Sequence, residues 1–454
     1  MSVQPLVQYA SRTDVGMRRA ANQDALSVRL STGFDEWATC GHLFVVADGM
    51  GGHSVGDLAS RITIETLPHA YFKMDTDVLP ERLRGAIHSA NRAINTKARE
   101  NPEFADMGTT CSVLTLTPQG AYVGQVGDSR VYRVRNGLIE QLTFDHSLQW
   151  EMIRQGRATM ENVDLLHPRN VITRCLGPDE NVTVDVEGPF SIQKGDAFLL
   201  CSDGLTGHVT DSEIGAIVGN LPPAESSRLL IDLANCRGGS DNTTVVITHV
   251  QDYPKIDGPV VDPEPATPLT RPTAVIEPAS EPKPKRSLMS LLSLLVFVVL
   301  SSFGLMFLLT DQRRGLGLVM ISAALILGFV RLIVAGTRRQ ADDDTDFSLS
   351  ESQRTTLAES QIPEEKSPYR RATAELSLEL LEILSETQSD LTQACYDNGW
   401  TVDLDELSVL NRQALAALQQ NQKGRCLQLR AKAIDLLMRE LYAQTRGHRP
   451  SARD

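Results

Sequence analysis

The sequence predicts an α+β fold for residues 1–250, followed by a transmembrane helical hairpin and a small all-α module. Three observations carry this prediction. Short apolar strands alternate with amphipathic helices up to residue 250, a charge-free apolar run occupies Leu288–Leu309, and apolar residues recur at helical spacing beyond residue 372.

In chain order, the runs Leu43–Ala47, Thr110–Leu116, Ala121–Val126, Val131–Val134, Ala197–Cys201 and Val245–Thr248 are short, rich in apolar and β-branched residues, and bounded by Gly, Asp or Asn. They read as strands. Leu83, Ala86, Ile87, Ala90, Ala93 and Ile94 make one face of a helix, and Leu58–Leu67 makes another. Strands outnumber helices and several junctions resemble hairpins, so the unit is α+β rather than an alternating parallel fold.

Residues 251–286 hold nine of the 22 prolines, one Leu and no Phe or Trp. Such a segment cannot bury a core and is expected to be a tether, at most ~110 Å long at ~3.1 Å per residue. Leu288–Leu309 then spans ~33 Å as a helix, against a hydrocarbon thickness of about 30 Å. Thr310–Arg314 separates it from Gly315–Val330, which becomes long enough to span if Arg331 snorkels. A hairpin over residues 287–337 is the resulting expectation. Lys283, Lys285 and Arg286 on one side and Arg338 and Arg339 on the other put both ends in the cytoplasm, as a multi-pass protein of the inner (cytoplasmic) membrane. Residues 338–371 are polar and acidic, with Asp342, Asp343, Asp344 and Asp346, and read as a second linker. In 372–445, Leu376, Leu380, Ile383, Leu384, Thr387 and Leu391, then Leu427, Ala431, Ile434, Met438 and Leu441, follow helical spacing. A helical hairpin or bundle is expected there, either a module for binding or homo-oligomerisation through these faces or a simple folded tail.

Composition excludes several classes. With 41% hydrophobic and 22% charged residues the whole chain is not disordered. Lys and Arg number 44 against 57 Asp and Glu, for a formal net charge of −13, and no basic run is present, so nucleic acid is not the expected partner. Seven scattered cysteines without a CxxC pair fit neither a disulfide framework nor a thiolate zinc site, and point to a reducing compartment. The N-terminal residues carry no apolar core after a basic start, so no cleavable signal peptide is expected.

One arrangement recurs: an apolar strand runs into a small residue, an aspartate, then Gly or another small polar residue. It occurs as Phe44-Val-Val-Ala-Asp48-Gly49, Gly124-Gln-Val-Gly-Asp128-Ser129, Phe198-Leu-Leu-Cys-Ser-Asp203-Gly204 and Gly239-Ser-Asp241-Asn242, with a fifth aspartate in Arg19-Ala-Ala-Asn22-Gln23-Asp24. Any one Asp-Gly is a turn signal. Five strand-edge aspartates can converge on one rim, where carboxylates within ~4–6 Å of one another stay ionised only if cations neutralise them. All-oxygen donors suit Mg²⁺ or Mn²⁺. Two such ions could share a water, lower its pKa and present hydroxide to phosphorus, with Arg19 as a fork for the phosphate oxygens.

These segments, with Ala47-Asp-Gly-Met-Gly-Gly52, Gly108-Thr-Thr110, Gly127-Asp-Ser-Arg130, Ser202-Asp-Gly-Leu205 and Ser240-Asp-Asn-Thr243, resemble in order the motifs of the bacterial metal-dependent Ser/Thr protein phosphatases of the protein phosphatase 2C type. The resemblance covers roughly residues 5–250. It implies a four-layer α-β-β-α sandwich of two antiparallel sheets flanked by helices, with a two-metal site at one end. It also implies Asp48 as bridging ligand, the Gly49 carbonyl on the second metal, Asp203 and Asp241 on the first, Asp24 holding water, Arg19 on the phosphate, and Asp128 with Asp203 on a third, weaker metal. Phosphoserine and phosphothreonine proteins, the targets of Ser/Thr kinases, are the implied substrates. Met50 departs from relatives that carry a histidine proposed as general acid, leaving metal-bound water or His53 to protonate the leaving group, and Gln23 replaces a metal-contacting Glu in some relatives. Residues 145–177 stand where the family places a flap over the cleft, with Arg154, Arg157, His167, Arg169 and Arg174 as candidate substrate contacts. The alternative to an enzyme is a phosphatase-like scaffold that binds phosphoproteins at the membrane. Met50 and Gln23 favour it, while the complete aspartate set opposes it.

Overall fold

The computed structural model describes residues 7–51, 55–104, 106–155, 157, 158, 163, 171–253 and 370–446. Two antiparallel sheets stack face to face. The first runs β1(Val7–Asp14), β11(Thr243–Val250), β10(Ala197–Cys201), β7(Arg130–Arg135), β8(Leu138–Gln141), β12(Arg371–Thr373). The second runs β2(Asp24–Arg29), β3(His42–Met50), β5(Cys111–Thr117), β6(Gly120–Val126), β9(Asp185–Phe190), with β4(Gly108–Thr109) beside β3.

Strand periodicity explains why these segments read as unbroken apolar runs. Along β3, Phe44 and Val46 point into the layer between the sheets, while Leu43 and Val45 point outward beneath α2(Val55–Lys73) and α3(Leu79–Glu100). Along β10, Phe198 and Leu200 join that inter-sheet layer and Leu199 and Cys201 face the opposite helices. With both faces covered, every residue of these strands is apolar-facing, and polar alternation disappears. The outer helices of the first sheet are α6(Asp211–Asn220) and α7(Pro223–Cys236); three short helices complete this part of the chain, α1(Phe34–Cys40), whose Trp37 donates to the Leu116 carbonyl of β5, α4(Leu148–Arg154) and the helical turn α5(Asp203–Thr206). The four-layer α+β sandwich is therefore present in the N-terminal part.

The C-terminal residues form α8(Leu378–Asn398), α9(Leu404–Gln419) and α10(Lys423–Arg446). Their apolar faces are used within the chain: Leu380, Leu384, Leu391, Leu427, Ile434 and Met438 belong to the same buried cluster as Leu229, Leu230 and Leu233 of α7. Arg228 and Asp435 form an ion pair across α7 and α10 at 3.3 Å, and Gln428 donates to Glu225 at 3.0 Å. The face expected to drive self-association thus has a partner inside the chain. β12, within the stretch read as linker and module start, extends the first sheet: Ala372 pairs Ile139, and the Arg371 guanidinium grips Glu140 with bonds of 2.8 and 2.6 Å. Three residues are too few for a periodic signal; the strand exists because β8 offers an unpaired edge.

The transmembrane expectation is corrected. Among the described residues no helix is long and apolar enough to cross a membrane. The longest, α3 and α10, distribute Lys, Arg, Asp and Glu along their length, including Arg82 and Glu100 in α3 and Lys432 and Asp435 in α10, and such charges are costly in hydrocarbon. The hairpin at 287–337, both linkers up to residue 369, and the multi-pass localisation inferred from them fall on residues outside those described.

Asp232 of α7 lies beneath α10, 3% exposed, accepting from the Tyr442 hydroxyl at 2.9 Å. Burial foremost, then the Asp435 and Asp14 charges, raise its pKa to about 7 against the pull of Tyr442 and Arg12. A raised carboxyl pKa contributes stability that is complete below the unfolded value near 4 and is lost as pH rises through 7, roughly 4 kcal/mol in all. Asp232→Asn cannot ionise, so its melting temperature should exceed that of the wild type at pH 8 and converge with it below pH 4. A pH-independent difference between the two thermal scans would contradict this.

Candidate active site

Strand ends of both sheets meet at one rim. Asp24, the first residue of β2, and Asp48, near the end of β3, are Cα partners across that strand pair. Asp203 opens α5 directly after β10, and Asp241 directly precedes β11; β10 and β11 are paired, and Ser202 N–H extends the ladder to the Thr244 carbonyl at 3.1 Å. Asp128 sits in the turn between β6 and β7. Gly49 follows Asp48 where the Gly56 and Gln23 backbones press close: a Cβ there would stand 2.2 Å from the Gly56 oxygen. Only glycine fits that approach.

The aspartates act on one another. The Asp48 carboxyl is held well above the ordinary range by burial first, then by the charges of Asp24, Asp203, Asp128 and Asp241. Asp24 is raised to about 7, by burial foremost and then Asp203 and Asp241, although hydrogen bonds from Ser202 and Thr244 pull the other way. Asp128 is raised to about 8 by burial, Asp203 and Asp145, and Asp203 is raised by burial and Asp241. The five sequence-predicted aspartates are therefore brought into one electrostatic unit.

Among the described residues no group of three or more His, Cys, Asp or Glu side chains is arranged as it stands to hold a metal ion. The fit of a divalent cation rests on donor chemistry instead. One carboxylate oxygen each of Asp24, Asp128 and Asp203 is buried and makes no hydrogen bond. Buried oxygens of this kind normally find a donor or a cation, and an all-oxygen set suits Mg²⁺ or Mn²⁺.

Uncharged side chains hold these carboxylates in place, and sequence reasoning assigned them no role. Thr110 accepts from Asp48 N–H through its hydroxyl at 2.9 Å and donates its own N–H to the Asp48 carbonyl at 2.8 Å. Its hydroxyl also meets that of Ser129 at 2.8 Å, joining the Asp48 strand to the Asp128 turn. Ser202 donates to Asp24 at 2.8 Å. Asn242 accepts from Gln23 N–H and donates to the Val15 and Ala21 carbonyls, stitching residues 15–23 to the Asp241 loop. The signal was present, since Thr110, Ser202 and Asn242 all lie inside the recurring motifs.

Arg19 stands at the rim with its side chain 48% exposed, donating Nη2 to Asp241 at 2.8 Å. Gln23 donates its side-chain amide to the Gly51 carbonyl at 3.4 Å, and Met50 is partly buried. In the flap region, Arg174 reaches Asp185 at 3.1 Å and His146 at 3.2 Å, so that guanidinium is engaged by the fold. His146 also accepts from Gly127 N–H through Nδ1 at 3.1 Å, which anchors the Asp128 turn. Arg154 and Arg157 are exposed, while His53, His167 and Arg169 lie outside the described residues.

The family model described as protein phosphatase 2C matches residues 17–226. The chain is 36% identical over 245 residues to the serine/threonine phosphatase stp of Listeria monocytogenes, covering 52% of this chain and 94% of that protein. Among solved structures it is similar to the serine/threonine phosphatase Stp1 from Staphylococcus aureus, at 29% identity over 56% of this chain and 98% of that one, with a TM-score of 0.50. It is also similar to the catalytic domain of the phosphatase PstP in complex with two manganese ions, at 33% identity over 54% and 99% of the respective chains, with a TM-score of 0.47.

The crowded carboxylates make a directional prediction. Removing one charge from a buried like-charged group relieves repulsion, so Asp48→Asn should melt higher than the wild type in chelator. Mn²⁺ at a hundred times its dissociation constant stabilises the wild type by about 2.7 kcal/mol, a rise of roughly 5–10 °C, and this gain should largely vanish in the variant. Calorimetric scans of both proteins with and without Mn²⁺ check it, and a variant that melts lower in chelator would show that the aspartates do not strain the fold.

Proposed function

The chain belongs to the protein phosphatase 2C family and is a protein serine/threonine phosphatase, and we infer from its all-oxygen donor set that it works with Mn²⁺ or Mg²⁺. On that premise we propose that it hydrolyses phosphoserine and phosphothreonine on proteins phosphorylated by Ser/Thr kinases, by direct attack of water without a covalent enzyme intermediate. The observation that carries this reading is the convergence of Asp24, Asp48, Asp128, Asp203 and Asp241 with three buried, unpartnered carboxylate oxygens.

In this reading Asp48, Asp203, Asp241 and the Gly49 carbonyl would hold the two divalent cations, and Asp128 with Asp203 would hold a third, weaker one. When bound, such ions make a water acidic enough to serve as nucleophile near neutral pH and offset the charge of the phosphoryl oxygens. The residues supply position. Asp24, fixed by Ser202, accepts a proton from the attacking water and orients it. Arg19, already tethered at the rim by Asp241, presents the rest of its guanidinium fork to the phosphate. Thr110, with the Thr109 hydroxyl, keeps the Asp48 backbone from shifting as charge moves.

Hydrolysis of a phosphothreonine peptide by the full chain, with Mn²⁺, Mg²⁺ or chelator, tests the proposal beside Asp203→Asn. Metal-dependent turnover should fall at least about a hundredfold in kcat/KM in the variant, about 2.7 kcal/mol of transition-state stabilisation. Peptide binding without turnover by folded, Mn²⁺-loaded wild type would favour the phosphoprotein scaffold, for which Met50 and Gln23 speak. A trapped phosphoenzyme would refute direct attack.

A further inference from the structure

The last described helix docks at the end of α7 from which the Asp241 loop departs. Tyr442 of α10, 9% exposed, donates its hydroxyl hydrogen to Asp232 and accepts from the Asn235 side-chain amide at 2.8 Å. The other hydrogen of that amide goes to Asp14 at 3.0 Å. The same Asp14 oxygen accepts from Gly16 N–H at 2.8 Å, which forms the turn leading to Arg19. Asn235 thus joins α10, α7 and the end of β1.

The two loops it joins are in close contact. The carbonyl of Gly239, two residues before Asp241, accepts from the N–H groups of Met17 and Arg18 at 2.8 and 3.2 Å. Gly16 has φ +79° and its missing Cβ would stand 2.3 Å from the Asp241 carbonyl, so no other residue could bring the loops this near. The Asn235 side-chain oxygen lies against Gly239, 2.8 Å from where a Cβ would be. Beside this, the Cys236 and Met438 sulfurs touch at 3.2 Å. A displacement of α10 at Tyr442 therefore acts on Asn235, and through Asp14 and Gly239 on the segments 14–19 and 238–241.

We propose that Tyr442 and Asn235 are positioning residues for the phosphatase reaction: docking of α10 on α7 sets the placement of Asp241 toward the metal ion and of Arg19 toward the phosphate. The C-terminal helices are then part of the catalytic unit's tuning, and anything that lifts α10 lowers metal affinity. This rests on the reading of Asp241 as a metal ligand.

The test uses the full chain and reads Mn²⁺ binding by calorimetry without substrate, then KM and kcat on a phosphothreonine peptide at saturating Mn²⁺. Tyr442→Phe keeps the ring and removes the hydroxyl; it should weaken Mn²⁺ binding about three- to tenfold, the factor that the lost bond from Asn235, the one leading to the Asp241 loop, corresponds to. KM should rise by a similar factor with kcat within about twofold, since one loop aids substrate binding rather than the chemical step. Asn235→Ala, which removes both bonds at once, should shift Mn²⁺ binding further in the same direction. A lower melting temperature with unchanged Mn²⁺ affinity and KM in both variants would reduce the pair to a structural role and overturn the proposal. Asp241→Asn separates the two readings: if it leaves Mn²⁺ binding intact, the metal assignment itself falls, whereas weakened binding there with normal binding in the Tyr442 and Asn235 variants defeats only the positioning role.

Discussion

The repulsion among buried aspartates is the constraint on which the rest of this structure depends. An unpaired ionised carboxylate taken out of water costs several kcal/mol even after relaxation, and here Asp24, Asp48, Asp128 and Asp203 all sit above their ordinary pKa. No single element could hold them together. Asp24 and Asp48 come from one sheet and Asp203 and Asp241 from the ends of two inner strands of the other, so the distance between the pairs is set by the inter-sheet layer of Phe44, Val46, Phe198, Leu200 and Val246. A close-packed layer resists expansion, which is how like charges are kept near one another until cations neutralise them.

Around that rim the supporting groups are hydroxyls and amides rather than charges. Thr110, Ser129 and Ser202 supply short hydrogen bonds without adding to the field, and Asn242 closes the gap between the loop of Arg19 and that of Asp241. Cationic support stands one step back. Arg130 clamps Asp145 through bonds of 3.0 and 2.6 Å, which holds the start of the flap region, while at the rim itself Arg19 reaches Asp241.

The C-terminal helices solve a different problem. Leu229, Leu230, Ile231, Leu233 and Ala234 make α7 buried on every side, and a helix apolar all round needs a second partner besides its sheet. α10 provides it. β12 in turn covers β8, whose backbone edge would otherwise be open to another chain. The same docking places Tyr442 beside Asn235, at the end of α7 from which the Asp241 loop departs.

The sequence by itself determined a good deal. Apolar runs such as Ala197–Cys201 match their strand to the residue, the spacing of Leu83 to Ile94 marks α3, and the order of Asp24, Asp48, Asp128, Asp203 and Asp241 foretold that they meet. Those signals are local: a strand end and a turn residue announce themselves within a few positions. The three residues of β12 and the choice of α7 rather than a second copy as partner for α10 carried no such signal. A contact between Asn235 and Tyr442 joins surfaces more than 200 residues apart, and which apolar face meets which is decided by the shapes that packing creates, so only the tertiary structure could settle it.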